Sequence, residues 1–172
     1  MIEIRAAFFR MLETKMEIKW HWKNFEELTL QELYALLKLR AEVFVVEQKC
    51  TFLDIDGCDQ DAMHLLGTVK GGNSNSECLA CYLRVIRKEQ HNEASFGRVV
   101  VSPQFRGKKL GGELVDRVTE YLDSIGVTKT TIDAQCYLEQ FYLSRGFETV
   151  SESFLEDEIP HISMSRSLPM NK

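Results

Sequence analysis

The segment Arg98 to Val118, "RVVVSPQFRGKKLGGELVDRV", passes from a β-branched run, through a turn and a cationic glycine-bearing loop, into an amphipathic pattern. Val99, Val100 and Val101 favour extended backbone, and Ser102-Pro103 ends it. Beyond the loop, Leu114, Val118, Tyr121, Leu122 and Ile125 recur at helical spacing until Gly126 stops the helix. A strand that enters a helix through such a loop aims exposed N–H groups and the positive end of the helix dipole at one place. Gly107, Gly111 and Gly112 let an anion approach the backbone on either side of Leu110, and Arg106, Lys108 and Lys109 add positive charge. Phosphate or pyrophosphate suits this cradle; a solvated glycine turn is the plainer reading. Neither G-x-x-x-x-G-K-[ST] nor G-x-G-x-x-G is present, which argues against ATP and NAD.

Around this segment lies a chain of 172 residues, 44% hydrophobic and 27% charged, enough for one closed core. Its net charge of −5 argues against a general nucleic-acid binder, so the cationic loop is a local feature. No apolar run approaches the roughly 20 residues a membrane span needs, and no membrane partner is expected. The five cysteines are an odd number with no secretory signal ahead of them, so reduced thiols in the cytoplasm are expected. Cys78 and Cys81 form a C-x-x-C inside a strand-like run, an offset expected to put them on opposite faces. No second such pair completes a zinc site, and no metal is expected.

Residues 1–15 fit poorly with the rest of the chain and read as an extension or cloning remnant; the domain is expected to span 16–172. "MEIKWHWK", from Met16, alternates as a strand does. "TLQELYALLKLRAEVF" reads as a helix opened by a Thr29–Glu32 capping box, with Leu33, Leu36, Leu37, Ala41 and Phe44 on one face. "HLLGTV", "CLACYLRVI" and "SFGRVVV" come next as strands, the first two joined by the turn-rich "KGGNSNSE". After the cradle and its helix come a strand, "KTTIDAQ", a short helix ending at Gly146, and two final strands, "ETVSESFL" and "PHISMSRSL". One α/β domain results.

This order of elements resembles the GNAT superfamily of acyl-CoA-dependent N-acetyltransferases. "QFRGKKLGG" is similar to its [QR]-x-x-G-x-[GA] motif, with Arg106 and Gly111 at the outer positions and Lys109 where the first glycine usually stands. "QCYLEQFYLSRGFETV" is similar to N-x-x-A-x-x-x-Y-x-x-x-G-F, with Tyr142, Gly146 and Phe147 in register and Gln135 in place of asparagine. "LYALLKLRAEVFVVEQKC", "DIDGCD", "HLLG", "GRVVVSP" and "IPHISM" resemble the ElaA-like branch, so the likeness covers nearly the whole domain. The resemblance implies a mixed, mostly antiparallel sheet flanked by helices, with a splayed strand before the cradle. It implies acetyl-CoA as cosubstrate and an amine, small molecule or protein, as acceptor. A monomer or homodimer is expected.

Acetyl transfer sets chemical demands that the sequence can be searched for. The cradle would hold the pyrophosphate, the backbone of Val99 to Val101 the pantetheine arm, and a backbone N–H the carbonyl oxygen. The departing thiolate, whose conjugate acid has a pKa of about 8.5 if it behaves as cysteine does, is expected to take a proton or hydrogen bond from the Tyr142 phenol. A core tyrosine beside Phe141 is the alternative. The amine must lose a proton before it attacks, and Glu47 and His64 are the candidate bases, with Asp54 and Asp56 behind them. Glu47 follows the apolar "VFVV" and is expected to be partly desolvated, with a raised pKa, unless it pairs with Arg40. "DIDGCDQD" lacks the calcium-loop spacing and reads either as a solvated turn or as an acidic lure for a cationic acceptor. His64 and His161 stand alone in sequence, and such single histidines are more often structural than catalytic. A non-catalytic acyl-CoA sensor is the competing function.

Overall fold

The alternation of "MEIKWHWK" forms β1, Ile18–Asn24, whose Trp20 and Trp22 pack on the main core. The computed structural model describes residues 16–70, 77–88 and 91–168; the expected extension at 1–15 and the turn at 71–76 lie outside them. Helix α1, Leu30–Arg40, opens with the expected capping box: the Glu32 N–H donates to Thr29 Oγ1 at 3.2 Å, and Glu32 Oε2 accepts the Thr29 N–H at 2.9 Å. The chain then widens into a π-helical segment, Ala41–Glu47. The buried face is therefore Leu36, Leu39, Arg40 and Val43, and Ala41 points to solvent rather than to the core.

Seven more strands complete the sheet. They are β2 Met63–Lys70, β3 Glu77–Lys88, β4 Glu93–Val101, β5 Lys129–Gln135, β6 Glu148–Thr149, β7 Phe154–Glu156 and β8 Ile159–Ser167. Their order is β1-β2-β3-β4-β5-β8-β6, with β7 also on β8. Every pairing is antiparallel except β4 with β5, which α2, Leu110–Ser124, connects as a crossover. On one face α2 buries Leu114, Val115, Val118 and Leu122 against Leu65, Leu83, Phe96 and Ile132. On the other, Leu36, Leu39 and Val43 of α1 and the π segment meet Leu66, Tyr82 and Val100. Ile125, expected on the apolar stripe of α2, is 37% exposed because the helix has already ended at Ser124. A short helix, α3 Glu139–Leu143, follows β5.

Two bulges shape the centre of the sheet. In β3, Leu79 faces Thr68 and Cys81 faces Gly67, so Ala80 is an extra residue. That extra residue turns Cys78 and Cys81 onto the same face, against one core, where the plain alternation predicted opposite faces. In β4, Gly97 faces Arg84 and Val100 faces Tyr82, so Arg98 and Val99 together oppose Leu83. Arg98 takes the left-handed conformation, φ +54°, that this kink requires.

Candidate active site

The parallel pairing of β4 with β5 stops at Ser95 and Thr131. From Phe96 to Val101 the β5-facing edge of β4 has no strand partner among the described residues, and the two strands open into a V. The bulge drives that opening. Arg98 is held in its strained geometry by Asp54 at 2.7 Å and Asp56 at 3.2 Å, and its guanidinium lies over the Phe52 ring. The V widens into a cleft of about 900 Å³, walled by the π segment, β4, β5, the turn into α3, and β8.

At its open end, beyond Val101, the cleft meets the cradle. The N–H groups of Gly107 to Gly112 have no acceptor among the described residues, while that of Glu113 already donates to Lys109 O at 3.2 Å. Gly107 and Lys109 both adopt positive φ, +74° and +63°, which turns successive N–H groups outward. Lys109 thus occupies a backbone geometry that glycine adopts freely. Leu110 is buried and anchors the helix start, and a side chain at Gly111 would meet only Val101, at 3.9 Å. At Gly112 a Cβ would come 2.5 Å from the Arg145 guanidinium, a cation beside the loop that the sequence reading missed.

Arg106 is not the free charge expected of it. It donates two hydrogen bonds to Glu47, at 2.8 and 2.9 Å, and a third to Val101 O at 3.3 Å. The expectation for Glu47 is overturned in the same contact. The hydrogen bonds and charge of Arg106 hold the exposed Glu47 carboxylate below its ordinary pKa, and Arg40 is not its partner. A carboxylate so paired is a weak base.

His64 lies outside the cleft altogether. It is fully buried, its Nε2–H donating to Asp59 O at 2.9 Å and its Nδ1 accepting from Tyr82 OH at 2.8 Å. Burial lowers its pKa, so it is a neutral structural histidine with both nitrogens occupied. Asp54 and Asp56 are likewise engaged. Arg40, fully enclosed, binds Asp54 at 2.9 Å and Asp59 at 2.7 Å, and Arg84 binds Asp59 at 2.9 Å and also Asp56. Three arginines therefore cancel three aspartates, and "DIDGCD" is neither a solvated turn nor an acidic lure. It is a pinned loop.

Tyr142 is brought to the cleft by α3 while its ring packs edge-on to Phe141 and Phe147, at 5.0 and 5.7 Å between centroids. The core packing expected as the alternative is present, and the residue also borders the cleft. Burial pushes its pKa up to about 12. Outright proton transfer to a thiolate near 8.5 then runs uphill, and donating a hydrogen bond is the role the hydroxyl suits. Gln135, at the end of β5, lines the cleft and shares hydrogen bonds with Tyr137 OH and with Gln48 at 3.4 Å.

Beside Gln135, on the neighbouring strand β8, His161 lies in register with it and also lines the cleft. At the tip of the β7–β8 turn Asp157 accepts hydrogen bonds from Thr51 Oγ1 at 2.9 Å and the Phe52 N–H at 3.0 Å, fastening that turn to the loop after the π segment. Only the segment "IPHISM" pointed towards this wall in sequence.

A strand splayed from its parallel neighbour, opening beside an anion cradle with a tyrosine on the far side, is the arrangement implied by the GNAT resemblance. The chain belongs to the acetyltransferase (GNAT) domain family, whose model it matches over residues 73–168. It is 41% identical over 155 residues to protein ElaA of Escherichia coli strain K12, covering 88% of this chain and 97% of that one. The crystal structure of E. coli ElaA superposes with a TM-score of 0.77 at 39% identity, covering 88% of this chain and all (100%) of that one. An acyl-CoA N-acyltransferase from Pseudomonas aeruginosa gives 0.78 at 40% identity, with 88% and 100% covered. An N-acetyltransferase, PaiA, from Thermoplasma acidophilum, solved in complex with coenzyme A, shares the fold at a TM-score of 0.60 and 15% identity, with 89% and 100% covered.

Proposed function

We propose that the protein transfers an acetyl group from acetyl-CoA to a primary amine by direct attack. The observation that carries this reading is free backbone on either side of one turn: the β5-facing edge of β4 from Phe96 to Val101, which no strand among the described residues pairs, and the unpaired N–H groups of Gly107 to Gly112. A pyrophosphate over residues 106–112 would take those donors, with Lys108, Lys109 and Arg145 as the nearby charges. The amides of pantetheine would pair with Val99 to Val101 as a further strand would, because both present alternating donors and acceptors. A cleft-facing N–H of that edge would bind the thioester oxygen as charge develops on it. Tyr142 would donate a hydrogen bond to the sulfur as the C–S bond breaks.

The five cysteines are free, which supports action in a reducing compartment such as the cytoplasm. The test is a panel of primary amines, read by free-thiol release from acetyl-CoA and by mass spectrometry of the acceptor. Acetylated product with stoichiometric thiol release is the expected result. Tight coenzyme A binding with no turnover across the panel would instead favour the acyl-CoA sensor.

A further inference from the structure

We propose that Nε2 of His161 is the base that deprotonates the acceptor ammonium group, a role that rests on the acetyl-transfer reading above. Two of the groups to which the sequence assigned this task are spoken for. Glu47 is tied to Arg106, and His64 is enclosed with both nitrogens bonded. Around the same cleft Asp133 accepts the Ser163 hydroxyl at 2.6 Å. His161 differs from all of these. Its Nδ1 lies 2.8 Å from the carbonyl oxygen of Ile159, and a carbonyl can only accept. Nδ1 therefore carries the proton, and Nε2 keeps its lone pair with no protein partner among the described residues.

The ring is also oriented. Phe154 of β7 stacks on it at 6.1 Å between centroids and 26° between planes, and the Ile159 bond fixes its tilt. It is half-buried and lines the same cleft as Tyr142, so an amine bound there would share one chamber with this proton acceptor and with the thiolate's proposed hydrogen-bond donor. A histidine with a free Nε2 lone pair can take a proton from an ammonium and pass it on to water, which is the work of a general base. The charged and titratable groups that line the cleft with it are Glu156 from β7, Asp133 from β5, Arg84 and Lys88 from β3, Arg98 from β4, the Glu47–Arg106 pair, Cys50, Tyr137 and Tyr142.

Atoms and charge balance in this step. The acceptor R–NH3+ gives one proton to Nε2, leaving R–NH2 and an imidazolium that later returns that proton to solvent. The amine lone pair forms the C–N bond, the C–S bond breaks, and its electron pair leaves on sulfur. The second ammonium proton leaves the new amide nitrogen through water and ends on the thiolate, giving the amide and the free thiol.

The test compares two acceptors in wild type and in His161→Asn, whose amide N–H can still donate to Ile159. One acceptor is an alkylamine, protonated at neutral pH, and the other an arylamine, already neutral there. With the alkylamine, kcat/KM is expected to fall about 10²–10⁴-fold, the range for general-base catalysis, and the residual turnover is expected to climb with pH as more of the amine becomes neutral by itself. With the arylamine the loss is expected to be a few-fold at most. His161→Ala keeps the test open should the asparagine variant misfold: added imidazole is expected to restore alkylamine turnover. Equal losses for both acceptors, or wild-type kcat/KM in folded His161→Asn, would overturn the role of His161 and leave acetyl transfer standing. A wild type that binds coenzyme A and acetylates neither acceptor would overturn the function itself, and the base with it.

Discussion

Lys109 holds a backbone geometry that costs a residue with a Cβ about 1–2 kcal/mol relative to glycine. Lys109→Gly is therefore expected to raise stability by up to about 1 kcal/mol once the extra freedom of glycine in the unfolded chain is counted, or roughly 2–4 °C of melting temperature. Lys109→Ala keeps the Cβ and is expected to give no such gain; differential scanning calorimetry of the two variants separates backbone from side chain. At Tyr142 the ring belongs to the core while the residue also borders the cleft. Tyr142→Phe keeps the packing against Phe96, Phe141 and Phe147, so its melting temperature is expected to hold. Losing a hydrogen bond to a developing thiolate is expected to lower kcat about 10- to 100-fold with little change in acetyl-CoA affinity. A destabilised protein with full turnover per folded molecule would make the hydroxyl structural. The place of Tyr142 beside the cleft was legible because its spacing to Gly146 and Phe147 is local. Glu47 was misread because the partner that decides its protonation, Arg106, lies 59 residues away.

At the scale of elements, the loop from Asp54 to Asp61 connects α1, β3 and the bulge of β4 through charges buried where water is scarce. Asp59 accepts from both Arg40 and Arg84, and although burial raises its pKa, those two cations outweigh burial and hold it below the ordinary carboxylate value. Asp59→Ala leaves three guanidinium groups sharing two carboxylates, one buried charge uncompensated, and is expected to cost about 3–5 kcal/mol, read by urea unfolding. The pH dependence has a definite sign. The hydrogen bond from Arg84 holds Asp56 well below its ordinary value, and Asp59 is lowered too, so the folded protein binds fewer protons than the unfolded chain. Their contribution is complete above pH about 4 and is lost as pH falls through the lower folded values. Unfolding monitored below pH 4 is expected to be steeper in wild type than in Asp56→Asn. The capping box of α1 was legible because it spans four residues. This network was not, because Arg40 is separated by 14 and 19 residues from its partners and Arg84 by 25 from Asp59. Charge counting sees only the acidic half of it.

Across the whole molecule, the crossover from β4 through α2 to β5 brings the cradle to the mouth of the V, and that order was readable once "RVVVSPQFRGKKLGGELVDRV" was taken as strand, loop and helix. Strand bulges left no comparable trace. The C-x-x-C of β3 ended on one face because one residue was added, and the cleft opened because Arg98 was placed out of register. A ligand that binds only the folded cleft stabilises it by mass action. Acetyl-CoA at about 100 times its dissociation constant is expected to add about 2.7 kcal/mol, which is roughly 5–10 °C for a chain of this size. No shift in thermal-melt experiments under saturating acetyl-CoA would remove the cradle as its site.

The Glu47–Arg106 pair gives the cleft an internal competitor for any anionic guest. A pyrophosphate that claims Arg106 must first draw it from a carboxylate, so ionic strength acts twice and in opposite directions. Added salt screens the attraction that brings the coenzyme in, and it also loosens the exposed pair that must be broken. The affinity of the wild-type protein for coenzyme A is therefore expected to vary less with salt than three cations beside a pyrophosphate would suggest. Glu47→Gln removes the competitor and leaves only screening. Calorimetric titration is expected to find that variant the tighter binder at low salt, with a steeper decline that brings the two proteins together at high salt. Parallel slopes would mean that the pair survives coenzyme binding intact.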